Sequence, residues 1–205
     1  MSLIKPFILF LRNSIGTITS PYVAYRQISQ IGQDKRQIIF IHLLIFFYFL
    51  LTSVLKIGLK NPFLLTVKFN SLYFSVYLGF ALMLCLFYLG YRLLSSQTFP
   101  FVRIILLWSY SLWPTLFWFF TTSFFYLILP PPRSISYPGK LYSLSYLAFS
   151  LTLLFWKSIL YYLTLRFGLR FDLFKIILIS LIIIPLVFVY SIFMYRLGIF
   201  KIPFI

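Results

Sequence analysis

Apolar residues fall in five long runs, and the short stretches between them carry most of the Lys and Arg. The first run extends from Gln37 to Leu55 and is closed by Lys56; the second extends from Phe69 to Tyr91 and is closed by Arg92. The third, Ile104 to Pro132, ends in Pro130-Pro131-Pro132, which cannot continue a helix. The fourth runs from Leu141 to Leu165 with Lys157 inside it, and the fifth from Ile176 to Tyr195, closed by Arg196. A hydrocarbon core of about 30 Å needs roughly 20 helical residues, so every run has spanning length. The pattern predicts an all-α integral membrane bundle of five transmembrane helices, with spans at 37-55, 69-91, 104-129, 141-165 and 176-195.

Residues 1-36 read as a separate N-terminal segment ahead of the membrane domain, 37-205. The apolar stretch Pro6 to Leu11, bounded by Lys5 and Arg12, is too short to cross, and no long apolar core with a cleavage site precedes Arg12. One or two short interfacial helices are expected here, for example around Tyr22 to Ile31, with Val23, Ile28 and Ile31 on approximately one face opposite Arg26 and Gln27.

Composition agrees with a membrane setting. Of the 205 residues, 62% are hydrophobic and only 10% charged, against about 25% charged in soluble domains. The net charge of +16 would suit nucleic acid, but the cations sit in ones and twos at the ends of apolar runs and form no basic stripe. Their expected partner is the anionic lipid headgroup, and nucleic acid is not expected. With a cytoplasmic N-terminus, Lys5, Arg12, Arg26, Lys35, Arg36, Arg92, Arg103, Arg166, Arg170 and Lys175 lie inside. Lys56, Lys60, Lys68, Arg133, Lys140, Arg196 and Lys201 lie outside, so the positive-inside bias favours that orientation, and five spans put Ile205 on the far side.

The chain offers little for catalysis: one His, one Cys, two Asp and no Glu. No catalytic residue, cofactor or metal ligand set is expected, and His42 alone reads as a hydrogen-bonded core residue. Cys85, inside an apolar run, reads as a small packing residue. The informative residues are polar or helix-bending ones inside spans. Pro114 has no N–H, so the carbonyl of Tyr110 loses its partner and the third span should bend, with Tyr110 and Ser111 beside it; such a bend serves packing or opens a ligand site. Pro185 frees the carbonyl of Leu181 in the same way, next to Ser180. Lys157 is about eight residues from the end of its span, so it either snorkels to the interface or lies buried with hydroxyls and free carbonyls. Ser71, Ser75 and Gly79, with Gly90 on nearly the same face, form a small-residue stripe for packing against another helix of the bundle or a second copy.

This layout resembles the Yip family, especially its prokaryotic branch. The resemblance rests on Ser20-Pro21-Tyr22-Val23-Ala24-Tyr25-Arg26-Gln27-Ile28 before five close spans, on Tyr110-Ser111-Leu112-Trp113-Pro114 in the third, and on Trp156-Lys157 in the fourth. It covers roughly residues 18-200 and implies five spans, a cytoplasmic N-terminus and a far-side C-terminus. Eukaryotic members are associated with Rab-type GTPases, membrane curvature and vesicle traffic. The Asp-Leu-Tyr-Gly-Pro type motif they carry before the first span is not found here, so GTPase binding is not implied. The expectation is a non-enzymatic adaptor or membrane-organising protein of the cell membrane, working alone, as a homo-oligomer or with a membrane protein partner. The alternative is a transporter or permease subunit for an anionic or lipid-like substrate, using Lys157, Pro114 and Pro185.

Overall fold

The structure is a computed structural model, described here over residues 4-30, 34-57, 62-95, 98-128 and 137-197. These residues form helices joined by short connections: α1 (Ile4–Thr19), α2 (Pro21–Gln30), α3 (Gln37–Ile57), α4 (Pro62–Leu94), α5 (Phe101–Tyr110), α6 (Trp113–Ile128), α7 (Tyr137–Leu163) and α8 (Leu173–Arg196). A five-residue π turn, Thr164–Gly168, continues α7.

Five helical segments are long and apolar enough to cross a membrane: Gln37–Val54, Pro62–Leu94, Phe101–Phe125, Gly139–Gly168 and Leu173–Arg196. They correspond in order to the five apolar runs. Residues such as Phe74, Phe155, Leu181 and Phe188 expose most of their apolar surface outward, as lipid-facing side chains do. At 33 residues α4 is about 50 Å long, more than the thickness of a hydrocarbon core. Its first turns lie well before the expected start at Phe69, because Pro62 is well suited to a first helical turn and Lys68 alone does not break a helix.

The third span is the centre of the bundle. Over its most apolar 18 residues two thirds are buried, 67% against 22% to 33% over the same length of the other four, and Ile104, Leu107 and Tyr110 are fully enclosed. It is also the span that divides. The chain turns at Ser111 and Leu112 between α5 and α6, so the expected bend is a complete break placed just before Pro114. Pro114 then sits in the first turn of α6, where a missing N–H is tolerated. In α8, by contrast, the helix continues through Pro185, which faces outward and does not shape the interior.

The small-residue stripe of α4 packs within the chain. Ser75 and Gly79 are buried, and the Ser75 carbonyl accepts from the hydroxyl of Tyr190 on α8 at 2.8 Å. At Gly90 an added Cβ would stand 1.9 Å from Ile179 Cδ1, so α4 and α8 approach through the absence of a side chain. Of the two expected roles for the stripe, packing inside the bundle is the one its buried members take. Gly168 plays the same part where the π turn meets α5, with Ile104 Cδ1 2.5 Å from the position of a Cβ.

Helices α1 and α2 form a hairpin on the end of the bundle where α3 and α5 begin and α7 ends. Gly16 and Ala24 bring them together, and Tyr22 stacks edge-on against Phe167 of the π turn at 5.1 Å. The face expected for α2 is corrected: it buries Ala24, Tyr25 and Ile28 and leaves Val23 exposed, since residues five apart are about 140° apart on a helix. Ile31 lies outside the described residues. Ser14 of α1 is buried against the bundle.

Candidate functional site

The break between α5 and α6 holds the interior's main concentration of polar groups. Helix α5 carries Trp108, Ser109 and Tyr110 with Ser111 just after it, all enclosed. Two of these hydroxyls bond back to the helix that carries them: Ser109 Oγ donates to the carbonyl of Ile105 at 2.7 Å, and Ser111 Oγ to that of Trp108 at 2.6 Å.

Lys157 reaches this break from α7. Its Nζ donates to the carbonyl of Ser111 at 2.9 Å and to Thr115 Oγ1 at 3.1 Å, and it lies 4.9 Å from the centre of the Trp108 ring. The side chain is 6% exposed, so it does not snorkel. The reason is local. Ser111, between the two helices, offers a carbonyl to a cation, and the face of the indole supplies a second attraction. Neither Asp34 nor Asp172 reaches it; they lie 4.0 Å from Arg36 and 3.6 Å from Arg166.

A second group of contacts ties the N-terminal hairpin to the same break. The Asn13 side-chain amide donates to Gln37 Oε1 at 2.8 Å, and Tyr110 OH donates to that same oxygen at 2.7 Å. One buried carbonyl of α3 thus joins α1 to the end of α5. From α2, Tyr25 OH donates to the carbonyl of Leu107 at 3.0 Å. Tyr25 is fully enclosed, and burial pushes its hydroxyl far above its ordinary pKa.

His42 completes the set. Its Nδ1 is 2.8 Å from Tyr77 OH and its Nε2 is 3.3 Å from Ser109 Oγ. The proton of Ser109 serves Ile105, so this hydroxyl accepts from Nε2–H, and Nδ1 accepts from Tyr77. The imidazole therefore bridges α3, α4 and α5 as a core residue. Among the described residues, no three His, Cys, Asp or Glu side chains stand together as a metal site would require.

Of the residues singled out in the sequence, Tyr110, Ser111, Pro114 and Lys157 come together here, while Pro185 and the stripe of Ser71, Ser75 and Gly79 lie elsewhere. Asn13, Tyr25, Gln37, Tyr77 and Thr115 belong to the site and were not singled out for it. Two of them left a signal, since Asn13 and Gln37 are amide side chains bordering apolar runs.

Helix α1 has an inverted pattern. Asn13, Ser14 and Thr17 face the bundle with Pro6 and Phe10, whereas Ile4, Ile8, Leu11, Ile15 and Ile18 face outward and half-exposed Phe7 packs edge-on against Phe40 of α3 at 5.3 Å. Only 16 residues long, α1 spans about 24 Å, too little to cross a hydrocarbon core upright. Around it this end of the bundle gathers Lys5, Arg12, Arg26, Lys35, Arg36, Arg92, Arg103, Arg166, Arg170 and Lys175 against the two Asp residues. Arg166 organises the turn into α8 by donating to the carbonyl of Phe171 at 3.1 Å. Arg170 in that turn adopts φ 56°, a left-handed conformation. No family model matches this sequence, and neither a curated protein nor a solved structure shows significant similarity to it.

Proposed function

We propose that this chain is a non-enzymatic, multi-pass membrane protein of the Yip type, held in a prokaryotic cell membrane with its N-terminus cytoplasmic, where it organises the bilayer from the cytoplasmic face. The observation that carries this reading is the inverted α1: Ile4, Ile8, Leu11, Ile15 and Ile18 point away from the protein while Asn13 is fastened to Gln37. A helix of that kind lies in the plane of one leaflet. Each apolar side chain moved from water into the acyl region contributes roughly 1.5–3 kcal/mol, and the helix takes up area in that leaflet only. Expanding one leaflet relative to the other favours curvature. The surrounding Lys and Arg residues add attraction to anionic headgroups on the same face.

Two features weigh against transport. The ammonium of Lys157 is engaged by the chain's own Ser111 and Thr115, and Pro185 faces outward. The Lys157 contacts fit a clamp that fixes the α5–α6 break.

The test is curvature sorting. Fluorescent protein reconstituted into giant vesicles, from which narrow tubes are pulled, should be enriched on the tubes. The double variant Ile8→Asn and Leu11→Asn should insert normally and lose that enrichment. Equal density of the wild-type protein on tube and vesicle would overturn the proposal.

A further inference from the structure

A groove of about 350 Å³ opens on the outer surface where the last third of α4 meets the start of α5. Leu84, Cys85, Tyr88 and Leu89 line it from one face of α4, and Phe101 closes it from α5. Its aromatic side is braced: Tyr88 meets Phe99 edge-on at 5.4 Å, and Phe99 meets Phe101 at 6.3 Å. The volume falls within the range of small-ligand pockets, and every lining side chain suits a hydrocarbon.

The groove has a charged end. One turn beyond Tyr88, in the last turn of α4, the guanidinium of Arg92 stands 5.9 Å from the centre of the Tyr88 ring. It lies at the same end of the bundle as the α1–α2 hairpin, where cations far outnumber acids and the two acids present face Arg36 and Arg166. An apolar channel running along a spanning helix, with an arginine at interface level above it, matches the two parts of one molecule. We propose that this groove holds an anionic phospholipid, with an acyl chain along Leu84, Cys85, Tyr88, Leu89 and Phe101 and the phosphate on Arg92. Charge complementarity selects the anionic lipid over a zwitterionic one, and Arg suits phosphate through its forked donors. The inference rests on the reading that these helices span a bilayer, and it adds a defined lipid position to the general attraction of the basic face.

The experiment is native mass spectrometry of the full chain released from nanodiscs of equimolar phosphatidylglycerol and phosphatidylcholine. The wild-type protein should retain phosphatidylglycerol preferentially. Arg92→Gln should lower the ratio of the two retained lipids about fivefold, Cys85→Trp should reduce retained phosphatidylglycerol by filling the channel, and Arg26→Gln, at the same end but on α2 and away from the groove, should lower the ratio clearly less, through the general attraction of the basic face alone. Equal retention of both lipids by the wild-type protein, or equal losses from Arg92→Gln and Arg26→Gln, would overturn the proposal alone. Failure of the chain to enter nanodiscs would overturn the membrane reading together with it.

Discussion

Replacing Lys157 removes a cation that has two hydrogen bonds and an indole face, so its effect on stability can be worked from the structure. Each charge-assisted hydrogen bond, to Ser111 O at 2.9 Å and Thr115 Oγ1 at 3.1 Å, contributes about 1.5–3 kcal/mol. The Trp108 contact adds about 2 kcal/mol when desolvated. Against these stands the penalty for holding an ammonium away from water, several kcal/mol. Lys157→Met, which keeps most of the side-chain volume, should therefore destabilise by only about 1–3 kcal/mol, a balance of larger opposing quantities. The sharper quantity is coupling. Thr115→Val removes one partner of Lys157, and after Lys157→Met that second change has less left to remove. The double variant should fall short of additivity by about 1–2 kcal/mol. Reversible unfolding in bicelles, followed by steric trapping, measures all four corners of the cycle. Additivity within about 0.5 kcal/mol would refute the claim that Thr115 shares the ammonium with Ser111.

Further outcomes follow from other contacts. Gly90→Leu should lower the thermal midpoint in detergent by forcing α4 away from Ile179, with a loss of about 1–3 kcal/mol, and size-exclusion chromatography should show that the loss occurs in the monomer. Asn13→Leu should loosen α1 from Gln37, detected as faster maleimide labelling of a cysteine placed at buried Phe10 in a Cys85→Ser background. Tyr25→Phe removes the donor to the Leu107 carbonyl and should destabilise by about 1 kcal/mol. Because burial raises the Tyr25 pKa above its ordinary 10.0, its contribution is fully present below that pH and declines as pH rises beyond it. Unfolding between pH 8 and pH 11 should accordingly show a steeper loss for the wild-type protein than for Tyr25→Phe.

The order and approximate extent of the spans were legible because lipid imposes one rule: a run of apolar residues long enough to cross, ended by charge. The break in the third span was legible from Pro114, although its place was not. Proline marks a helix that cannot continue unaltered, while the residues that turn, Ser111 and Leu112, are set by what they pack against. Lys157 shows the boundary of such reasoning. Distance to the interface allowed it to snorkel, and only the three-dimensional position of the Ser111 carbonyl decides that it stays inside. The contact among Asn13, Gln37 and Tyr110 joins residues 24 and 73 apart in sequence, a separation across which periodicity carries no information. For α1 the sequence showed a short apolar stretch, but which face met the protein depended on polar partners waiting in α3.

The placement of α1 is tested most directly by its depth in the bilayer. Nitroxide labels at Ile8, Ile15, Asn13 and Thr17, one at a time in a Cys85→Ser background in liposomes, can be read by collision with oxygen, which partitions into lipid, and with a water-soluble nickel chelate. The account predicts high oxygen and low nickel accessibility at Ile8 and Ile15, with both low at Asn13 and Thr17. High nickel accessibility at Ile8 and Ile15 would place that face in water and contradict the account.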